Sequence, residues 1–85
     1  MEKLSDLPNI GVEVEKQLNS IGITTYDQLR ELGSETAWLM IQRIDKSACI
    51  HRLYALEGAI WKIRKTLLPE ERKAELKAFY NLHKL

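Results

Sequence analysis

An all-α fold is predicted by three observations. Apolar residues recur at helical spacing in almost every segment, no run sustains the apolar and polar alternation of a half-buried strand, and glycines and capping residues punctuate the chain at helix-sized intervals. Leu7-Pro8-Asn9-Ile10-Gly11 is a tight turn with Gly11 at the opening of a first helix, in which Val14, Leu18 and Ile21 fall at i, i+4 and i+7. Gly22 supplies the left-handed residue that ends it. Thr25 caps a short second helix and Gln28, three residues on, completes a capping box, with Tyr26, Leu29 and Leu32 as the buried side and Gly33 as the stop.

Ser34 is expected to cap a third helix running to about Ile44, whose stripe is Ala37, Met40, Ile41 and Ile44. Asp45-Lys46-Ser47 breaks the chain before the longest predicted helix, Ala48 to about Leu67. There Cys49, Leu53, Leu56, Ile60, Ile63 and Leu67 form one face and Ile50, Tyr54 and Trp61 a second, as in a central element packed on two sides. A glycine inside a helix costs about 1 kcal/mol relative to alanine, so Gly58 predicts close approach of another helix. Pro69 fits the first turn of a last helix, Glu70 and Glu71 suit its positive end, and Leu76, Phe79, Tyr80 and Leu82 give it an apolar side.

The order of turn, helix, glycine stop and capped second helix is that of helix-hairpin-helix and SAM-like units. The prediction is therefore a compact five-helix domain containing such a unit. With 85 residues, residues 1–85 make one domain that buries roughly 60 to 65% of its unfolded surface, with no internal repeat and no linker. No segment approaches the roughly 18 uncharged apolar residues of a membrane helix, and Met1–Asp6 lacks the apolar core of a signal peptide, so a cytoplasmic protein without membrane contact is expected. The single Cys49 cannot form an internal disulfide and reads as a buried, reduced thiol in its helix stripe.

The net charge of +1 hides an asymmetry. Residues 1–33 carry three basic against six acidic residues, and the remainder ten against six, so attraction to polyanions is expected in the second half. Within it, Lys62, Arg64, Lys65, Arg72, Lys73 and Lys77 form the strongest candidate nucleic-acid surface, although Glu70, Glu71 and Glu75 are interleaved and such residues also belong on ordinary solvated helix faces. The hairpin turn of Pro8, Asn9 and Gly11 is a second candidate, because amides at a helix start can approach a phosphate. Asn9 stands where a glycine is usual, however, and Glu13 and Glu15 oppose an anion, leaving only Lys16 to help. A purely structural hairpin is the preferred reading. Of the two tryptophans, Trp61 is expected inside the bundle. Trp38, off the main stripe of its helix, is the expected protein-interface residue. His51 and His83 lie far apart and Cys49 and His51 fall on different helix faces, so neither a metal site, a cofactor nor a catalytic residue is predicted.

Taken in order, Leu7-Pro8-Asn9-Ile10-Gly11, Gly22-Ile23-Thr24-Thr25, Leu29, Leu32-Gly33 and Leu53-Tyr54-Ala55-Leu56-Glu57-Gly58-Ala59 resemble the C-terminal domain of the TfoX (Sxy) competence regulators over nearly the whole chain. The resemblance implies a non-catalytic regulatory module in transcriptional control of DNA uptake competence, acting with a transcriptional activator at promoters. It also implies an N-terminal domain in full-length members that these residues do not include. Weak, non-specific DNA contact or contact with a DNA-bound activator is the expected mode. The alternative is a protein-interaction or homodimerisation module without nucleic-acid affinity.

Overall fold

In the structure, a computed structural model that describes residues 3–84, a short 3-10 turn at Leu4–Asp6 is followed by α1 (Val12–Ser20), α2 (Tyr26–Leu32), α3 (Ser34–Ile44) and α4 (Ile50–Trp61). A second 3-10 turn at Lys65–Leu67 then leads into α5 (Glu70–His83). Met1 and Glu2, the start of the segment read for a signal peptide, and Leu85 lie outside the described residues. Among the described residues there is no β-strand, and no helix is long and apolar enough to cross a membrane.

The local stops act as the sequence implies. Gly22 at φ 91° closes α1, with the Ile23 N–H donating to the Leu18 carbonyl and the Gly22 N–H to that of Asn19, while Leu18 and Ile23 bury their side chains together. Thr25 accepts from the Gln28 N–H and the Gln28 side chain accepts from the Thr25 N–H, a reciprocal cap at the start of α2. Gly33 at φ 87° ends α2 and directly precedes α3.

As expected, α4 is the spine. It packs against α2, α3, α5 and the second 3-10 turn, and Leu53, Leu56 and Ala59 bury themselves with Leu18, Leu29, Ala37, Trp38, Ile41 and Leu76. The N-terminal turn adds Leu4, Leu7 and Ile10 to the same core. The spine is nevertheless shorter than the periodicity implies, and α5, with 14 residues, is the longest helix. Lys62 adopts a left-handed conformation (φ 60°, ψ 39°), so the Ile63 N–H turns back to the Gly58 carbonyl and the Lys62 N–H to that of Ala59. Leu67, expected on the buried stripe, consequently lies in the 3-10 turn and is 66% exposed.

Four further expectations are corrected by the packing. The buried face of α3 is Ser34, Ala37, Trp38, Ile41 and Gln42, a rotation away from the predicted stripe that leaves Ile44 exposed. Ser34 is the first residue of α3 and not its cap, and its hydroxyl donates to Glu57 Oε1 at 2.6 Å. Cys49 precedes α4 and is exposed, while its carbonyl accepts from Trp38 Nε1 at 3.1 Å. On α5, Leu76 is buried with Phe79 and Tyr80 half-buried beside it, but Leu82 is exposed.

The neighbour that comes close to Gly58 is the N-terminal turn, not a helix. Asn9, itself left-handed at φ 70°, places its amide over the end of α4. Nδ2 donates to the Ile63 carbonyl at 2.9 Å and Oδ1 accepts from the Lys65 N–H at 3.1 Å. Alanine at position 58 would gain about 1 kcal/mol in helix propensity. Its Cβ, however, would stand 2.5 Å from Asn9 Nδ2 and 2.9 Å from the Ile63 carbonyl oxygen, a backbone atom that cannot swing aside. Overpacking of this kind outweighs the propensity, so Gly58→Ala should lower stability by about 1 to 2 kcal/mol. The check is a lower urea midpoint at unchanged m value; an unchanged or raised midpoint would show that the close approach is not constraining.

Candidate nucleic-acid interface

The six basic residues between positions 62 and 77 sit where α4 ends, along the second 3-10 turn and on the first half of α5. The structure divides them by what they touch. Arg72 is committed to the fold: its Nε donates to Glu57 Oε2 at 2.7 Å, its Nη2 approaches Oε1 at 3.3 Å, and its Nη1 reaches Glu75 on the surface. Glu57 is buried in α4 and also accepts from Ser34 and from Trp61 Nε1 at 2.9 Å, so each carboxylate oxygen has two partners. Burial alone would push the Glu57 carboxyl up. The hydrogen bonds from Arg72, Ser34 and Trp61 and the Arg72 charge outweigh it and hold the group below its ordinary value.

Lys62 leans over α2, its ammonium 4.6 Å from the centre of the Tyr26 ring, while the Arg30 guanidinium approaches the same ring at 5.7 Å. The Tyr26 hydroxyl donates to the Ile60 carbonyl, which fixes the ring between the two cations. Arg30 thereby joins the basic region from the acidic part of the sequence, something only the packing of α2 on α4 brings about. Arg64 and Lys77 are exposed, and with Lys65 their side chains make no ion pair among the described residues.

Lys65 and Lys73 converge. Together with His51, Tyr54 and Thr66 they line a cleft of about 200 Å³ between the first half of α4, the second 3-10 turn and the start of α5. Lys73 Nζ donates to the Thr66 carbonyl at 3.3 Å and stands 3.7 Å from the exposed Glu70 carboxylate. His51 and Tyr54 meet edge to face at 6.4 Å. Sequence reasoning weighed His51 only as a metal or catalytic residue. Its place three positions before Tyr54 on one helix face was the signal available. Among the described residues no group of three or more His, Cys, Asp or Glu side chains gathers that could hold a metal.

The hairpin turn is arranged differently. Asn9 points its amide inward to Ile63 and Lys65, Gly11 precedes α1 in extended conformation (φ −94°), and Glu15 accepts from the Ser5 N–H at 3.0 Å. In the turn of Pro8, Asn9 and Gly11 the Asn9 amide is thus turned into the fold, while Gly11 is exposed.

The tryptophans exchange the places expected of them. Trp38 is 0% exposed and meets Phe79 and Tyr80 of α5 edge to face at 6.3 and 5.5 Å, so it is no surface residue. Trp61, the last residue of α4, is 47% exposed.

Against known families, the TfoX C-terminal domain matches residues 1–80. Protein Sxy of Escherichia coli (strain K12) is 37% identical over 75 residues, covering 88% of this chain and 36% of that protein. DNA transformation protein TfoX of Haemophilus influenzae (strain ATCC 51907 / DSM 11121 / KW20 / Rd) is 29% identical over 76 residues, covering 89% of this chain and 35% of its own. The chain thus spans about a third of the length of these relatives. Among solved structures, that of an uncharacterized Listeria monocytogenes protein in a triclinic crystal form superposes with TM-score 0.91 at 45% identity, covering 95% of this chain and 93% of the other. A protein of unknown function from the same organism, in a tetragonal form, gives TM-score 0.90 at 47% identity, covering 93% and 96%.

Removing Arg72 would leave the Glu57 carboxylate buried with only Ser34 and Trp61. Breaking a buried pair costs about 3 to 5 kcal/mol, and the partial exposure of the guanidinium reduces the expectation for Arg72→Met to about 2 kcal/mol. Because the Glu57 carboxyl is held below its ordinary value of 4.5, the unfolded chain binds the extra proton first on acidification. The stabilisation is therefore fully present above the ordinary glutamate range and lost as pH falls through the lowered value. Chemical denaturation across pH 3 to 7 should show Glu57→Gln losing stability less steeply with acid than the natural chain; equal slopes would count against this role of Glu57.

Proposed function

We propose a function from one established premise: this chain belongs to the TfoX C-terminal domain family. It acts as a non-catalytic regulatory binding module in the transcriptional control of DNA uptake competence, meeting DNA, beside or together with a DNA-bound activator, through its basic face. The connection to DNA uptake rests on the relative named for DNA transformation. The connection to a surface rests on one observation: of the basic residues that sequence alone singled out, Arg64, Lys65 and Lys77 carry charge that no acidic side chain among the described residues pairs. An unpaired cation near a phosphate releases a condensed counterion, which supplies affinity without sequence preference. Arg72, bound to Glu57, contributes to the scaffold that holds this face.

The half-exposed Trp61 favours a second reading, in which the end of α4 meets a protein partner or a second copy of the chain. Large aromatics held rigidly at a surface concentrate binding energy, and the Trp61 ring is fixed by its bond to Glu57.

Labelled duplex DNA titrated at several salt concentrations separates the two. The first reading expects weak binding that falls with salt. Arg64→Glu with Lys77→Glu should reduce affinity at least tenfold at low salt and flatten the salt dependence by about two counterions, at about 0.9 in log–log slope per phosphate. Binding indifferent to salt and to these reversals would refute it. On the second reading, sedimentation of the chain alone or with its partner changes on Trp61→Ala and stays unchanged on the charge reversals.

A further inference from the structure

We propose that the cleft lined by His51, Tyr54, Lys65, Thr66 and Lys73 is a phosphate-binding subsite that seats one phosphate group of a nucleic-acid backbone. It rests on the DNA reading above and names the place where that contact is made.

Four observations converge there. The hollow, about 200 Å³, is large enough for a tetrahedral anion with part of its hydration, given roughly 30 Å³ for each water-sized group. It is lined by Lys65, Lys73, Thr66, His51 and Tyr54, whose hydroxyl stands 3.5 Å from the Lys73 carbonyl, and by no acidic residue. Glu70 lies 3.7 Å from Lys73, is 91% exposed and makes no other bond among the described residues, so a phosphate held by several donors at once competes with this single exposed contact. The Lys65 side chain has no partner among the described residues.

The walls are also held in position before any ligand arrives. The Lys65 N–H is tied to Asn9, Thr66 follows in the same 3-10 turn, and the Lys73 ammonium is aimed by the Thr66 carbonyl. His51 is the second residue of α4, so the positive end of a 12-residue helix lies at the same edge. The Lys73 ammonium, fixed in advance, carries a lower ordering cost on binding than a free surface lysine, while Lys65 is held at its backbone and leaves its side chain to reach the ligand. Lys77 stands one turn beyond Lys73 on the same helix face and Arg64 directly precedes Lys65. Further cations thus stand next to two of the lining residues, where neighbouring phosphates of one strand can meet them.

The test is a nitrogen-15 NMR titration with inorganic phosphate against chloride of equal ionic strength, followed by short duplex DNA. Phosphate should shift His51, Tyr54, Lys65, Thr66 and Lys73 together, saturating in the millimolar range. Lys65→Gln should weaken this at least fivefold while the remaining spectrum shows the fold intact. Duplex should move the same signals and leave phosphate no further effect. Shifts spread evenly over all lysines, or unchanged in Lys65→Gln, would overturn the subsite as general ion screening. Duplex binding that survives Lys65→Gln yet is lost in Arg64→Glu with Lys77→Glu overturns the subsite and leaves the DNA reading standing. Saturable phosphate binding without any duplex binding upholds an anion site and overturns its nucleic-acid source.

Discussion

The side-chain amide of Asn9 is the contact on which the rest of the arrangement depends. It spans more than fifty residues of sequence, bonding at once to the carbonyl of Ile63 and the N–H of Lys65, two backbone groups in the segment that follows α4. Net, such bonds contribute about 1 kcal/mol each, comparable to the cost of holding Asn9 and Lys62 in the left-handed region. Their value is therefore more geometric than energetic: the amide fits only because Gly58 has no Cβ, and once seated it fixes where the chain leaves α4. The six basic residues between positions 62 and 77 all lie at or beyond that point.

A second constraint sorts those basic residues. Glu57 is buried on the spine and must be compensated, and Arg72 on α5 does so, which docks the last helix and takes one cation out of the surface. A similar arrangement recurs at Asp45, which joins α1, α3 and α4 through Ser47, Gln17 and Arg52. Those donors, the Ser47 hydroxyl foremost, hold its carboxyl far below the usual carboxylate range. What is left after these structural pairs are removed is the charge available to a partner. It gathers around the cleft at the α4–α5 junction.

The legible parts were those whose cause is local. Thr25 and Gln28 cap α2 from within four residues, Gly22 and Gly33 stop helices by their own backbone freedom, and Leu18, Leu29, Leu53 and Leu56 fall on helical repeats that hold in any all-helical packing. Of the candidate interface, the residue list was readable but its division was not. Arg72 and Lys77 look alike in sequence, and only Glu57, fifteen residues before Arg72, distinguishes them. His51 and Lys65 share a cleft because the chain turns back after Lys62, and Lys in a left-handed position gives no composition signal of a helix end.

Sequence by itself determined an all-helical chain, the stops of α1 and α2, the cap of α2 and the basic character of its second half, because helix periodicity, capping and net charge are properties of neighbouring residues. The tertiary structure alone decided which face of α3 turns inward, so that Trp38 is covered by Phe79 and Tyr80 while Trp61 is left at the end of a shortened spine. It alone also decided which cation is held by the buried Glu57 carboxylate and which line the cleft. Those outcomes depend on contacts between residues far apart in the chain, as where the Asn9 amide meets Ile63 and Lys65 over Gly58.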